Sequence, residues 1–151
     1  MENVDIKTAI KNCQTPADAK DFFEVQGVRP DPGWTIPKKL EIMEELLKIK
    51  FGGKDPFLTR ALLETCDADI IEGNTWNDTF WGVCNGSGEN NLGRLLMKVR
   101  DELFQQNQKI ISLVAEFSNN AAIANALSIT QRELYEKMIA FKIKSKEYWI
   151  S

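Results

Sequence analysis

The chain has 151 residues, 43% apolar and 27% charged, with 19 basic and 22 acidic side chains for a net charge of −3. That is enough for one globular domain with a real core, or one domain with a small appendage. The absence of histidine excludes it as base, nucleophile partner or metal ligand, so acid–base chemistry must use carboxylates, lysine, tyrosine or cysteine.

No run approaches the ~18 consecutive apolar residues that span a bilayer, and residues 1–12 are no signal peptide. A cytoplasmic protein without membrane contact is expected. Cys13, Cys66 and Cys84 are odd in number and far apart, which argues against a disulfide framework or a paired-cysteine zinc site. They are read as small buried residues, and no metal or cofactor is expected.

Val4, Ile6, Ala9 and Ile10 suit a first helix ending near Asn12. Thr15 then serves as N-cap, Pro16 as first helical residue and Asp18 as a first-turn acid, starting a helix to about Val25 with Phe22 and Phe23 inward. Residues 27–33 hold two prolines and two glycines and are a loop, with Arg29 inside it and Trp34 just beyond. Ile36, Leu40, Met43, Leu47 and Phe51 recur at three- and four-residue spacing, an amphipathic helix stopped by Gly52 and Gly53. Asp55-Pro56 repeats the cap-then-proline start, and Leu58, Ala61 and Leu62 carry a fourth helix to about Thr65. Residues 69–72 are the one candidate for a short strand.

Residues 72–93, EGNTWNDTFWGVCNGSGENNLG, ask for a chemical explanation. Trp76, Trp81, Glu72, Asp78 and Glu89 stand among asparagines and glycines, ahead of the apolar repeat Leu92, Leu95, Leu96, Val99. Glycine lets a backbone approach a ligand, and the first turn of the following helix offers N–H groups and a positive dipole end to an anion. The other reading is a turn-rich connection whose tryptophans are core. The stretch lacks the lysine and spacing of a P-loop, which disfavours ATP hydrolysis.

With its flanks, the stretch resembles the NADAR family of YbiA-like N-glycosidases, which cleave a ribose-to-base C–N bond. The residues that carry the resemblance are Thr15-Pro16-Ala17-Asp18-Ala19-Lys20, Arg29 with Trp34, residues 43–51, Leu62-Leu63-Glu64-Thr65, Asp78-Thr79-Phe80-Trp81-Gly82, and Gly88-Glu89-Asn90-Asn91-Leu92-Gly93 followed by Leu96-Met97-Lys98-Val99-Arg100. The match covers about residues 4–103. It implies a mainly α, multi-helical YbiA-like domain over residues 1–117, with a long irregular glycine- and tryptophan-rich loop.

Cleaving a ribose C1′–N bond develops oxocarbenium character, which a carboxylate beside C1′ stabilises, or answers by activating water. Asp78 is the first candidate and Glu72 the second; the other reading of Glu72 is a capping role. Trp81 would stack on the base or wall the pocket. Gly82, Gly88 and Asn90 would present backbone N–H groups and an amide to ribose hydroxyls or phosphate, with Trp34 and Arg29 as further ligand contacts. The family has a further N-terminal part with a Glu-His-x-x-x-x-x-Lys-like motif that this sequence does not contain. The expectation is therefore threefold: a stand-alone remnant that binds an ADP-ribose-like ligand without turnover, a second chain that supplies the missing part, or a fragment.

Residues 119–143, NNAAIANALSITQRELYEKMIAFKI, resemble the Fis-type helix-turn-helix. Ala124 falls where two helices cross, Leu127-Ser128-Ile129 forms the turn, Thr130 and Glu133 make a capping box, and Leu134, Met138 and Phe141 form the buried face. A helix-turn-helix-like extension is thus expected over residues 118–151. Residues 119–151 carry five basic and three acidic side chains, little with which to neutralise DNA phosphates, and Glu133 and Glu136 would repel them. A homodimer would compensate; the other reading is a helical packing tail. Three functions stay open: an N-glycosidase acting on ADP-ribosylated guanine or phosphoribosylamino-pyrimidine intermediates of riboflavin synthesis, a non-catalytic nucleotide-binding module, and a DNA-binding regulator.

Overall fold

Short polar side chains ahead of apolar repeats set where the helices begin. In the computed structural model, which describes residues 5–25, 32–52, 55–117 and 119–141, Asp5 accepts from the Lys7 N–H and opens α1 (Ile6–Lys11). Thr15 and Asp18 accept from each other's backbone N–H ahead of α2 (Pro16–Val25), as the spelling predicts. Phe22 is half-buried, while the side chain of Phe23 lies outside the described residues.

The next repeat forms α3 (Ile36–Phe51), with Leu47 buried and Met43 and Phe51 packed on the core. Ile36 departs from the expected stripe: it is 62% exposed. A Cβ at Gly52 would land on the Lys48 carbonyl, so a residue with a side chain could not sit there unchanged. Asp55 accepts from the Phe57 and Leu58 N–H groups to start α4 (Pro56–Leu63). The buried Thr59 hydroxyl ties this helix back to the Phe51 carbonyl at 2.7 Å.

Residues 69–72 form no strand. The Ile70 carbonyl and the Glu72 N–H are taken by the side chain of Asn90 instead of a neighbouring backbone. Pairing starts one residue later, where β1 (Gly73–Asn74) lies parallel to β2 (Val83–Cys84) with Gly73 opposite Val83 and Asn74 opposite Cys84. Next, α5 (Asn91–Glu116) runs without a break through the glutamine-rich segment 105–108. The helices α6 (Asn120–Ala126) and α7 (Gln131–Ala140) follow, with Ser128 in left-handed backbone between them at φ 55°. The expected Thr130–Glu133 capping box is formed.

The described structure is mostly helical. The chain forms two compact units, Met1–Lys38 and Lys39–Ser151. In the first, α1 packs on α2. The core of the second joins Leu47, Leu62, Val99, Leu103 and Ile110 to Ile123, Leu134, Met138 and Phe141, so the last two helices share one apolar interior with α3, α4 and α5. The Arg60 guanidinium adds a bond from α4 to the Ile139 carbonyl of α7. Cys84 is buried as expected, but Cys13 is half-buried and Cys66 is exposed. Cys66 sits in left-handed backbone (φ 52°) in the turn just after α4. Among the described residues no helix is long and apolar enough to cross a membrane.

Candidate functional site

Amide side chains build the loop around Asp78. The buried Asn74 brackets that residue: its Oδ1 accepts from the Asp78 N–H at 3.0 Å and its Nδ2 donates to the Asp78 carbonyl at 2.8 Å. Asp78 in turn uses a single oxygen, Oδ1, to accept from the Phe80 N–H (3.1 Å) and the Trp81 N–H (2.8 Å), which folds residues 78–81 into a tight turn. Its Oδ2 makes no hydrogen bond among the described residues. The carboxylate is therefore oriented by one oxygen and open at the other.

The start of α5 closes on this turn. The N–H groups of Glu89, Asn90, Asn91 and Leu92 donate to the carbonyls of Thr79, Gly82, Phe80 and Trp81 respectively. These donors were expected to face an anion; they are occupied because the turn at 79–82 lays its carbonyls across the helix end, which satisfies the orphan groups internally. Asn90 likewise spends its amide inside the chain. With φ 52° it donates from Nδ2 to the Ile70 carbonyl at 2.8 Å and accepts at Oδ1 from the Glu72 N–H at 3.0 Å. Asn91, also buried, donates to the Phe80 carbonyl and to the Glu89 carboxylate.

Two glycines are required by this closeness. A Cβ on Gly82 would strike the Glu72 carbonyl and crowd the Asn74 amide at 2.8 Å, and one on Gly88, whose φ is +151°, would strike the Gly82 carbonyl. Glu72, Asp78, Trp81, Gly82 and Asn90 thus belong to one hydrogen-bonded knot, with Gly88 packed close against Gly82. Trp34 is 45% exposed and lies in the first compact unit. Arg29 lies outside the described residues.

Trp81 is half-buried and packs edge-on against Phe80, with centroids 4.9 Å apart. Trp76 is 70% exposed, so neither tryptophan of the stretch is a buried core residue. The Lys39 ammonium sits 4.0 Å above the Phe80 ring and 4.9 Å from the Trp81 ring. Such a placement is worth ~0.5–2 kcal/mol and fixes a positive charge beside the aromatic pair. Sequence reasoning assigned nothing to Lys39, which reads there as one of several solvated lysines on α3. Among the described residues no three histidine, cysteine, aspartate or glutamate side chains cluster as metal ligands.

A helical unit whose irregular, glycine-locked loop presents an oriented carboxylate beside an aromatic pair now meets the known families. The family model described as NADAR domain matches residues 1–104, and the chain belongs to that family. It is 37% identical over 108 residues to the riboflavin biosynthesis protein PYRR, chloroplastic, of Zea mays, covering 66% of this chain and 16% of that protein. It is 41% identical over 66 residues to N-glycosidase YbiA of Shigella boydii, covering 43% of this chain and 40% of the relative. N-glycosidase YbiA of Escherichia coli K12 is 39% identical over the same share of each. The chain thus spans less than half the length of these curated relatives. No solved structure matches it.

Proposed function

We propose that this chain is an N-glycosidase-like protein whose site holds a ribose-linked base and whose Asp78 acts on the ribose C1′–N bond. The observation that carries the reading is the division of labour in Asp78: Oδ1 is tied to two backbone N–H groups, and Oδ2 has no partner among the described residues. A carboxylate oriented in this way places negative charge where an oxocarbenium-like transition state develops positive charge, without having to reorganise first. Family membership and the names of the YbiA relatives support it.

In this reading Glu72 supplies the second carboxylate and Trp81, flanked by Lys39, the flat face for the base. Gly82 and Gly88 let the loop fold tightly enough to present Asp78. Asn90 acts as a positioning residue, since its amide fastens the backbone of Glu72. Of the two substrate classes, ADP-ribosylated guanine and phosphoribosylamino-pyrimidines, the second is favoured by the maize relative's name.

The test is release of free base, followed by chromatography, from both substrate classes by the folded chain and by Asp78→Asn. Release that disappears in Asp78→Asn supports the assignment. Release that persists refutes the role of Asp78, and saturable nucleotide binding with no release would make the chain a binding module.

A further inference from the structure

We infer that Lys39 is the residue by which this site recognises a phosphate on the ribose of its ligand, and that this contact sets the direction in which the ligand lies. The inference rests on the reading of the site proposed above and adds a contact that neither Asp78 nor Glu72, both carboxylates, supplies.

The chemistry follows from where the ammonium stands and from what it lacks. Lys39 lies at the start of α3 and is half-buried, so a ligand reaches it. Its Nζ is 4.0 Å from the Phe80 ring centroid and 4.9 Å from that of Trp81, and among the described residues these two rings are its partners, with no carboxylate against it. Farther along the helix the pattern differs: Lys48 is paired with Glu44 and Glu102, and Lys98 of α5 with Glu44. An ammonium carries three N–H donors, and a ring face holds a cation without offering an oxygen to any of them. The rings thus fix a positive charge in place and leave its donors for another acceptor.

The surroundings select that acceptor. Phe80 and Trp81 are the residues whose backbone N–H groups hold Asp78 Oδ1, so the ammonium packs on the same turn that orients the carboxylate. The site is therefore polarised, with Asp78 and Glu72 negative and Lys39 positive. A phosphorylated riboside has a matching polarity, because positive charge develops at C1′ while the phosphate on the same sugar is anionic. In one direction it meets opposite charges at both ends; reversed, it sets phosphate against the carboxylates. Lysine suits phosphate as a compact charge with several donors, and the rings keep water from one side of it, which strengthens the attraction.

The test compares ribose 5-phosphate with ribose on the full chain, in NMR titrations that follow the Trp81 indole N–H. The expected result is that ribose 5-phosphate binds at least about tenfold more tightly, the size of one charge-assisted hydrogen bond, and that Lys39→Met removes this preference. Lys39→Arg, which keeps a cation, should retain most of it. Added salt should erode the preference in the parent chain and have no such effect in Lys39→Met. A lysine that only clamps α3 to the loop would, when replaced, weaken both sugars equally. If Lys39→Met loses the native spectrum, Lys39→Gln decides in its place. The inference is overturned if the parent chain binds the two sugars alike, if it binds neither, or if the preference survives removal of the charge. Failure of the catalytic reading is seen separately: base release that persists in Asp78→Asn refutes the role of Asp78 and leaves the phosphate preference to be decided at Lys39.

Discussion

Asp78 does two jobs with two oxygens, and substitution can separate them. Asparagine keeps an acceptor for the Phe80 and Trp81 N–H groups while replacing the free oxygen with an amide. Asp78→Asn is predicted to lower base release by about 10²–10⁴-fold with an unchanged melting temperature, whereas Asp78→Ala also loses the turn and costs a further ~1 kcal/mol in denaturant unfolding. Gly82→Ala drives a methyl into the Glu72 carbonyl, so a loss of about 1–3 kcal/mol is predicted, read from the same unfolding curves. Asp78, Glu72 and the glycines stood out in the sequence because carboxylates, aromatics and glycines seldom crowd together without a reason. The structural work of Asn90 did not. An amide that bonds a backbone 18 or 20 positions away leaves no local spacing to read.

Helix starts were the most legible elements, since a cap acts within three residues of itself. Thr15-Pro16, Asp55-Pro56 and Thr130 with Glu133 all begin helices where their spelling places them. Thr130→Ala should cost ~1 kcal/mol, measured by chemical denaturation. The paired strands were illegible for the opposite reason: two residues cannot show an alternation, and β1 finds its partner ten positions away. Across helices, Glu44 bonds Lys48 on its own helix and Lys98 on α5, each at 2.7 Å, and Lys48 also reaches Glu102. The Lys48 ammonium, and after it Lys98, holds the Glu44 carboxyl below its ordinary value of 4.5. Because the folded value is the lower one, this stabilisation is complete above about pH 4.5 and fades as the pH falls through the lowered value. Glu44→Gln should therefore give a shallower loss of stability below pH 4.5 than the parent chain, in acid titrations followed by circular dichroism.

At the scale of the molecule, the sequence divided the chain by resemblance, with a family-like part and a tail. The side chains of the tail reach past that division: Ile123, Leu134 and Met138, all but fully buried, pack in the core that holds Leu62, Leu103 and Ile110. Their apolar spacing was readable as a buried face, but what the face covers depends on contacts between residues far apart in the chain. Met138→Ala should thus cost about 2–5 kcal/mol of the stability of the unit from Lys39 onward, seen as one shifted transition rather than the melting of a separate part. The same interior has a consequence for anyone who trims the protein by homology. The family match stops at residue 104, inside α5 and one residue past the buried Leu103. A fragment cut there would keep every residue that the family model matches and expose the underside of its own hydrophobic floor, so that insolubility of the fragment would say nothing about the intact chain.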